Sequence, residues 1–503
     1  MTRPRKIWHA ISYVAALVAF TAAPRALADD PLYPSFDAFL AEIDRIEAIG
    51  DAGERTAALN TFWTGLTAAG QAPYAQDGRV AMLYRGAANS IGFAGDANGW
   101  NPSAWPANPV PGTDLWVRLA NLPNDARVDY KVVRNGGQWI LDPSNPHQQW
   151  SGFGPNSELR MPDYVFPEET VRAPGVVRGA LSGNQRLTST NLGADVNVRV
   201  YTPAGYDALD DLPVVYVTDG HEYLDDRLGA IVAVLDNRIA DGSLRPAIAV
   251  FIDPRDPNNP GDNRRMGQLG GNQKPQFADF IAQELVPTID AGYKTSPQAE
   301  DRVILGTSLG GLFSAFMAAR HDDVISNAVI QSPAFWFDTS IYDTYRNNPA
   351  LAESIRIYME SGTINDGTGG PTMRAILQAG GYDFVYDEIN QGHSWGHWKG
   401  ELDDALIHLL GAGEVVRMGD ANQDGVVDLL DFNILAVRWG SITDRGALDG
   451  DFDHSGVVDL LDLDILAQTF GSSAPAQAPA AAPEPAGAAL LTGGAALGAL
   501  RRR

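Results

Sequence analysis

A serine set between glycines is the residue of this chain whose surroundings best fit covalent chemistry. The stretch DRVILGTSLGGLFSAFMAARH holds an apolar run, then Gly306, Ser308 and Gly310 as G-x-S-x-G, then small and apolar residues at helical spacing. Small residues at these positions let a strand and a helix pass closely at a sharp turn. The turn would place the hydroxyl at the helix N-terminus, where the dipole favours developing negative charge. A chance match among 52 glycines is the alternative, but the flanking patterns favour a nucleophile.

Two histidines four residues apart are the candidates for the base that such a serine needs. A serine hydroxyl is a weak nucleophile until a base removes its proton. His393 and His397 lie downstream in QGHSWGHWKG, at a spacing that would also suit a metal site on one helical face. Three glycines in this stretch disfavour a regular helix, and Ser394 stands where a zinc-protease motif has glutamate. These features disfavour a metal site and predict a loop that delivers one base, either His393 or His397, with the other left as a loop or pocket residue.

A carboxylate between the serine and the histidine would complete a catalytic triad. The chain order in hydrolases with this strand-turn-helix motif is serine, acid, histidine. The run IRIYMESGTINDG offers Glu360 and Asp366. Asp366 lies past the end of the predicted strand, where such an acid belongs, whereas Glu360 falls within the strand. A surface carboxylate without a catalytic role stays open as the alternative for Asp366.

The elements that must position these residues alternate between strands and helices from about residue 185 to residue 411. Apolar runs predict buried strands, and amphipathic stretches between them predict helices. This alternation indicates a mostly parallel sheet covered on both faces. The predicted strands are VNVRVYTP, LPVVYVTDG, RPAIAVFID, DRVILG, IRIYMESG and FVYDEI, and the predicted helices are QFADFIAQELVPTID, LGGLFSAFMAARH and TMRAILQAGG.

The part of the chain before this block has two further patterns. Residues 31–75 carry apolar side chains at helical spacing, as in FDAFLAEIDRIEAI. From about residue 79, short runs rich in aromatic and β-branched residues are separated by Gly, Asn and Pro. That second pattern is typical of a small β-sandwich.

Composition and the first residues bear on location and partners. A chain of 503 residues is too long for one core, so we expect several domains. The net charge of −25 disfavours nucleic acid as a partner, and the absence of cysteine excludes disulfides and a thiol nucleophile. A basic segment, the apolar run ISYVAALVAFTAA and an A-x-A site ending at Ala28 predict a secretory signal peptide. We therefore expect an exported protein, either extracellular or at the cell surface or periplasm.

A duplicated unit further along the chain has the oxygen donors of a calcium loop. GDANQDGVVDLLDFNILAVRWG and GDFDHSGVVDLLDLDILAQTFG repeat after 31 residues, with oxygen donors at loop positions 1, 3, 5, 7 and 12 and glycine at position 6. Position 12 is aspartate rather than the glutamate of an EF-hand. The predicted Ca²⁺ ligands are Asp420, Asn422, Asp424, the Val426 carbonyl and Asp431 in the first loop, and Asp451, Asp453, Ser455, the Val457 carbonyl and Asp462 in the second.

The strand-and-helix block resembles the putative esterase family, which includes enterochelin esterases, esterase D-like proteins and family-1 carbohydrate esterases. The motifs that carry the resemblance are LPVVYVTDGHEYL, FADFIAQELVPTIDAGYKT, VILGTSLGGLFSAFMAARH, VIQSPAFWF, GTIND and GHSWGHW. The resemblance implies an α/β-hydrolase fold with Ser308 as nucleophile, Asp366 as acid and His393 as base, and no cofactor for catalysis. The GTIND loop is longer than the family pattern.

The same resemblance implies an oxyanion hole built from backbone amides. One donor would be the amide of Leu309, which follows the nucleophile. The other would come from the TDGHEY loop, at Gly220 or His221. A purely structural role for the His221 side chain stays open.

The flanking segments resemble accessory modules. The β-rich segment is similar to family-48 carbohydrate-binding modules, in which Trp100, Trp105, Trp116 and Trp139 could stack on sugar rings; core packing is the alternative for them. The duplicated unit resembles a dockerin type I domain, which implies a cohesin partner or else a structural role. The final PEP motif, short apolar stretch and RRR resemble a PEP-CTERM sorting signal, which implies a transient membrane hold and a sorting protease, with a disordered tail as the alternative.

The predicted fold is therefore an α/β-hydrolase domain preceded by an immunoglobulin-like β-sandwich and followed by a small helical calcium-binding dockerin domain. The predicted function is a secreted serine esterase that removes feruloyl or acetyl groups from a polysaccharide or oligosaccharide. Siderophore lactone hydrolysis, acyl transfer to a sugar and a non-catalytic polysaccharide-binding scaffold are the alternatives. The predicted boundaries are 1–28 signal peptide, 29–78 helical segment, 79–170 β-sandwich, 171–412 esterase domain, 419–472 dockerin domain, and 473–503 linker and sorting signal.

Overall fold

The computed structural model describes residues 31–411 and, further along, residues 421, 427, 429–439, 450, 452 and 458–470. The predicted signal peptide and sorting signal, and all predicted calcium ligands except Asp431 and Asp462, lie outside the described residues. Within the described residues, no helix combines the length and the apolar composition that crossing a membrane requires.

Two helices begin the described chain, α1 (Phe36–Glu47) and α2 (Ala52–Ala68). Each starts at a side-chain cap: Ser35 Oγ accepts the Ala38 N–H at 3.1 Å, and Asp51 accepts the first free amides of α2. Their apolar faces pack on the sheet that follows, with the Phe39 and Tyr74 rings stacked 4.2 Å apart. The helical segment predicted as a separate unit therefore shares a core with the β-sandwich.

The β-sandwich consists of two antiparallel sheets that pack face to face around a second core. In the described residues the first sheet has the order β1-β2-β5-β4 and the second β3-β6-β9-β8, with β7 on the edge of β6. Alternating apolar residues on β2 and β6 face this core, as expected for packed sheets. The strands are β1 (Tyr74–Gln76), β2 (Arg79–Arg85), β3 (Ile91–Gly95), β4 (Asn108–Pro109), β5 (Leu115–Asn121), β6 (Arg127–Arg134), β7 (Gln138–Ile140), β8 (Gln148–Ser151) and β9 (Gly154–Arg160).

The larger domain is built on one sheet whose central strands run parallel. Between residues 180 and 389 the strand order is β10-β12-β14-β13-β17-β18-β19-β20, with β11 added beside β12. Pairing is parallel from β14 through β20 and antiparallel at β10, β11 and β12. The strands are β10 (Ala180–Leu181), β11 (Gln185–Ser189), β12 (Ala194–Thr202), β13 (Val214–Val217), β14 (Ile248–Asp253), the β15 (Arg255–Asp256) and β16 (Asn259–Asn263) hairpin, β17 (Arg302–Thr307), β18 (Asn327–Gln331), β19 (Arg356–Gly362) and β20 (Asp383–Ile389).

Helices cover both faces of this sheet, and each face has its own apolar core. The alternation of strands and helices over the predicted esterase block has the arrangement of an α/β-hydrolase. A π turn at Ile281–Leu285 joins α5 to α6 in one long helix. The helices are α3 (Gly220–Tyr223), α4 (Ile231–Ala240), α5 (Lys274–Phe280), α6 (Val286–Gly292), α7 (Leu309–Arg320), α8 (Ser340–Arg346), α9 (Gly369–Gly380), α10 (Trp395–Gly400) and α11 (Leu402–Leu410).

The duplicated unit contributes the helices α12 (Leu429–Arg438) and α13 (Leu460–Thr469). Their apolar contacts follow the repeat of 31 residues, because equivalent positions of the two copies meet in one small core. The buried apolar residues of this core form three equivalent pairs: Ala421 with Phe452, Val427 with Val458, and Leu435 with Leu466.

Candidate active site

Ser308 lies on a strained turn between β17 and α7. Its backbone has φ 59° and ψ −113°, a conformation that residues other than glycine rarely adopt. Neighbouring backbone hydrogen bonds hold the turn: the Ser308 N–H donates to the Gln331 carbonyl, and its own carbonyl accepts the Ala334 N–H, both at 2.9 Å. The serine is therefore fixed at the N-terminus of α7, where the helix dipole favours negative charge on the reacting oxygen.

The glycines two residues either side are required by close packing. A Cβ on Gly306 would overlap Thr218 Oγ1 and lie 2.6 Å from the carbonyl carbon of Gly310. A Cβ on Gly310 would lie 2.6 Å from the same threonine oxygen. The G-x-S-x-G spacing thus reflects the crossing of strand and helix that the sequence pattern predicted.

His393 and Asp366 meet at the carboxyl end of the sheet. The Nδ1 of His393 donates to Asp366 Oδ1 at 2.5 Å, and the other carboxylate oxygen accepts the Gly362 N–H at 2.6 Å. Burial raises the pKa of Asp366, but the hydrogen bond and charge of His393 outweigh it, so the pKa lies below its usual value. Because Nδ1 is engaged, Nε2 is the nitrogen left to accept a proton from a nucleophile.

Exposure separates this histidine from its neighbour in the sequence. The His393 side chain is 39% exposed, whereas His397 has no exposed surface. His397 lies in α10 and forms an ion pair with Glu360 of β19 at 2.9 Å, and its Nδ1 donates to the Gly392 carbonyl at 3.3 Å. The prediction of a loop or pocket residue at His397 was wrong, because the short helix forms despite its glycines.

The Glu360–His397 pair is a second acid–histidine pair behind the first. Burial lowers the pKa of His397, but the adjacent Glu360 carboxylate outweighs burial and raises the pKa to about 9. Burial in turn raises the pKa of Glu360. From the sequence, Glu360 and His397 were considered separately, as a candidate acid and a candidate histidine, and were not paired. In the described residues, no cluster of histidine, aspartate and glutamate side chains forms a metal site.

Three backbone amides, those of Leu309, Gly220 and His221, are the candidates to hold an oxyanion at the Ser308 turn. Among the described residues, no hydrogen bond uses the N–H of Leu309, Gly220 or His221. The predicted TDGHEY loop forms the one-turn helix α3 rather than a loop, directly after β13. A Cβ on Gly220 would lie 2.6 Å from the Ile252 nitrogen, so only glycine lets this turn pack so closely on β14.

An arginine that sequence reasoning missed joins this turn to the turn that carries Ser308. Arg265 Nε donates to the buried carboxylate of Asp219 at 2.8 Å, and its Nη2 donates to the Thr307 carbonyl at 3.3 Å. Asp219 precedes Gly220, and Thr307 precedes Ser308. The guanidinium therefore fixes the distance between the candidate oxyanion donors and the serine.

Two aromatic rings with exposed surface lie beside the Ser308 turn. Trp336 is 78% exposed and lies edge-on to Phe337, with 5.7 Å between ring centroids. The Phe337 ring and the Leu309 side chain both contact Gly270, so the aromatic pair lies beside the residue that follows Ser308. No pattern in the sequence had marked these rings as a binding surface.

A cleft of about 390 Å³ lies where the sandwich meets the larger domain. Burial raises the pKa of Glu222 to about 7, and burial lowers the pKa of His221. Both groups are therefore shifted toward their neutral forms. The residues that line the cleft are Trp150, Ser151, Gly152 and Gly154 from the sandwich, and His221, Glu222, Asp225, Arg227, Leu228 and Arg255 from the larger domain.

The two predicted calcium ligands that the structure describes occupy equivalent positions. Asp431 and Asp462 are fully buried at the starts of α12 and α13. Asp431 Oδ1 accepts the Ala421 N–H at 2.7 Å, and Asp462 Oδ1 accepts the Phe452 N–H at 2.6 Å. Each carboxylate thus reaches back to the second residue of its own predicted loop.

The candidate triad lies within the part of the chain that matches a known family model. Residues 189–409 match the family described as "Putative esterase". The iron(III) enterobactin esterase of Escherichia coli O6:H1 is 23% identical over 289 residues, which are 54% of this chain and 68% of that protein. An endo-1,4-beta-xylanase/feruloyl esterase of Xylanibacter ruminicola is 26% identical over 144 residues, 27% of this chain and 19% of that protein.

The fold is shared with a solved esterase. The structure of ferric enterobactin esterase from Salmonella typhimurium has a TM-score of 0.56 and 20% sequence identity, and covers 66% of this chain and 93% of its own. The range that matches the family model, residues 189–409, includes Ser308, Asp366 and His393. The chain is a carboxylic-ester hydrolase.

The buried Glu360–His397 pair predicts a loss of stability at alkaline pH. The folded-state pKa of His397, about 9, lies above the 6.5 of a free histidine, so its stabilising contribution is full below pH 6.5 and is lost as pH rises through 9. We expect the free energy of unfolding to fall by about 2 kcal/mol more in the native chain than in a Glu360→Gln/His397→Gln variant between pH 7 and 9.5. Urea unfolding at several pH values measures this difference, and parallel pH curves would contradict it.

Proposed function

We propose that this hydrolase cleaves carboxylic esters through an acyl-enzyme formed on Ser308, with His393 as general base and Asp366 as the acid that orients it. The observation that carries the proposal is the bond from His393 Nδ1 to the buried Asp366 carboxylate. It selects the tautomer whose Nε2 can take the serine proton, and the carboxylate stabilises the imidazolium that results.

The proposed reaction follows from these positions. Ser308 Oγ attacks the ester carbonyl while its proton passes to His393, and the oxyanion accepts hydrogen bonds from Leu309 N and from Gly220 N or His221 N. Each such donor contributes about 3–4 kcal/mol of transition-state stabilisation in comparable enzymes. His393 then protonates the leaving alcohol, activates water against the acyl-enzyme and returns the proton to the serine.

We propose an aromatic acyl group as the preferred acid moiety, with feruloyl esters of a polysaccharide or oligosaccharide as the substrate and acetyl esters as the simpler variant. The exposed Trp336 and Phe337 beside Leu309 support this choice, because aromatic faces bind a planar acyl group by stacking. A relative whose name includes feruloyl esterase adds support. The junction cleft, with Glu222 and His221 shifted toward neutrality, suits an uncharged sugar alcohol.

A siderophore lactone is the second candidate substrate. The fold likeness to ferric enterobactin esterase extends over two thirds of this chain, which is longer than the hydrolase domain alone. A lactone with aromatic substituents would also use the exposed rings. The predicted signal peptide favours the polymer instead, since it implies that the enzyme meets its substrate outside the cytoplasm.

We further propose roles for the segments around the hydrolase. The duplicated unit holds structural Ca²⁺ in its two loops and docks to a cohesin partner, supported by the equivalent buried positions of Asp431 and Asp462. The chain is exported and held transiently at a membrane by its PEP-type tail until a sorting protease removes it, as the motifs indicate. Catalysis itself uses no cofactor in this proposal.

Replacing the proposed nucleophile or base should abolish ester hydrolysis. We expect Ser308→Ala and His393→Ala to lower kcat on p-nitrophenyl acetate by about 10³-fold or more, because each removes a step of the same proton transfer. His397→Gln should retain most turnover at pH 7, since its amide can still donate to Glu360. Equal losses in the two histidine variants would contradict the assignment of the base, and full activity in Ser308→Ala would overturn the proposed function.

The exposed tryptophan should affect aromatic substrates selectively. We expect Trp336→Ala to lower kcat/KM for methyl ferulate by about tenfold, the loss of one aromatic contact, while p-nitrophenyl acetate hydrolysis stays unchanged. Trp139→Ala, at a 46% exposed tryptophan of the sandwich, is the matched control and should change neither rate. Comparing feruloylated arabinoxylan oligosaccharides with enterobactin then separates the two substrates, and equal loss on acetate and ferulate would argue against an aromatic acyl site.

Calcium should bind the duplicated unit through its buried aspartates. We expect titration calorimetry of the full chain to show two Ca²⁺ ions bound in the native protein and none after Asp431→Ala/Asp462→Ala, because position 12 closes each loop. Asp343→Ala, an exposed aspartate of α8, controls for the change of charge and should leave binding intact. Calcium uptake by the double variant would place the ligands elsewhere.

A further inference from the structure

We propose that the β-sandwich (residues 74–160) is a positioning element of the active site, and that Arg127 acts through Ser394 to hold the loop that carries His393. The proposal rests on the function proposed above. The β-sandwich would then position the catalytic loops, whether or not it also binds sugar. Two segments of the hydrolase domain are involved: the base loop, residues 390–396, and the acid loop, residues 363–367.

Arg127 enters the base loop from the sandwich. Its side chain is fully buried, and Nη1 donates to Ser394 Oγ at 2.7 Å, one residue from His393. Its remaining donors pair with the sandwich carboxylates of Glu158, at 2.8 Å, and Asp129. The guanidinium is therefore anchored in one domain and directs one N–H to the other.

The Ser394 hydroxyl bonds to Arg127 and does not cap its own helix. It occupies the N-cap position of α10, where a serine hydroxyl ordinarily accepts an amide of the first turn. No side-chain cap forms here, and the hydroxyl accepts the arginine N–H instead. A Cβ on Gly396 would overlap the Arg127 guanidinium, so the glycine that weakens α10 is what lets the arginine approach.

Backbone contacts reinforce the same junction. The Arg127 N–H donates to the Asn390 carbonyl at 3.1 Å, and the Asn390 side chain donates to Asp125 at 2.8 Å. A Cβ on Gly392 would overlap the side chain of Asp96, so the base loop lies directly against the sandwich on both sides of His393.

The acid loop is held by the same part of the sandwich. Asn365 Nδ2 donates to the Asp96 carbonyl at 2.7 Å, and Ile364 packs against the sandwich core. Asp96 therefore contacts the neighbours of both Asp366 and His393. The relative position of acid and base depends on a residue that belongs to neither loop.

The test uses Ser394→Ala, because removing Arg127 would leave the buried Asp129 carboxylate without its ion-pair partner, take one of two arginines from Glu158 and destabilise the sandwich. With p-nitrophenyl acetate we expect kcat to fall at least tenfold with KM within twofold, and labelling of Ser308 by a fluorophosphonate to slow in proportion. Ser394→Thr keeps the hydroxyl and should restore both rates. Ser144→Ala removes a sandwich hydroxyl that bonds only within its own turn, and should behave as the native chain.

Asn365→Ala provides the second arm, since it cuts the contact between the acid loop and Asp96. We expect the same fall in kcat, again with KM unchanged and with native circular dichroism. Native kcat in both Ser394→Ala and Asn365→Ala would overturn the positioning role while leaving the proposed function intact. Absence of hydrolysis in the native chain would instead count against the proposed function, so the two failures are distinguishable.

Discussion

The hydrogen bond between His393 and Asp366 is the contact on which the rest of this structure depends. Its partners come from loops that follow adjacent parallel strands, β19 and β20, which are paired in register up to Gly362 and Ile389. The sheet therefore delivers both loops to the same level of its carboxyl edge. Strand register alone does not fix a bond of 2.5 Å between two loops, and the sandwich supplies the remaining constraint through Arg127 and Asp96.

The electrostatics of the site explain why only one of two similar pairs can react. Asp366 with His393 and Glu360 with His397 have the same chemistry and arise from the same strand end and helix start. The outer pair has an accessible imidazole, and Asp366 is kept ionised by the histidine that it orients. The Glu360–His397 pair is fully buried, and its histidine holds a proton. It therefore stabilises the base loop and does not exchange protons with a substrate.

The sequence predicted what depends on local spacing and missed what depends on long-range contact. Ser308 and its glycines were predictable because they belong to a single turn. The strand-helix alternation was predictable because the spacing of apolar residues along the chain indicates it. Arg127 and Ser394 are 267 positions apart, and no local pattern marks a buried cation whose partner lies in another domain. Gly396 shows the same limit: helix propensity disfavours glycine inside a helix, yet Gly396 lies within α10, where a Cβ would overlap the Arg127 guanidinium.

The tryptophans of the sandwich show how packing redirects a residue from the role that its type suggests. Trp105 and Trp116 are partly buried and pack against the sandwich core, which is the alternative that the sequence left open for them. The Trp100 indole N–H donates to Asp96 Oδ1 at 3.1 Å, and Asp96 Oδ2 accepts the Asp129 N–H at 2.8 Å. Asp129 in turn pairs with Arg127, whose other end reaches the neighbour of His393. Trp100, for which sugar stacking and core packing were both open, is thus the first link of a chain of polar contacts that ends beside the candidate base His393.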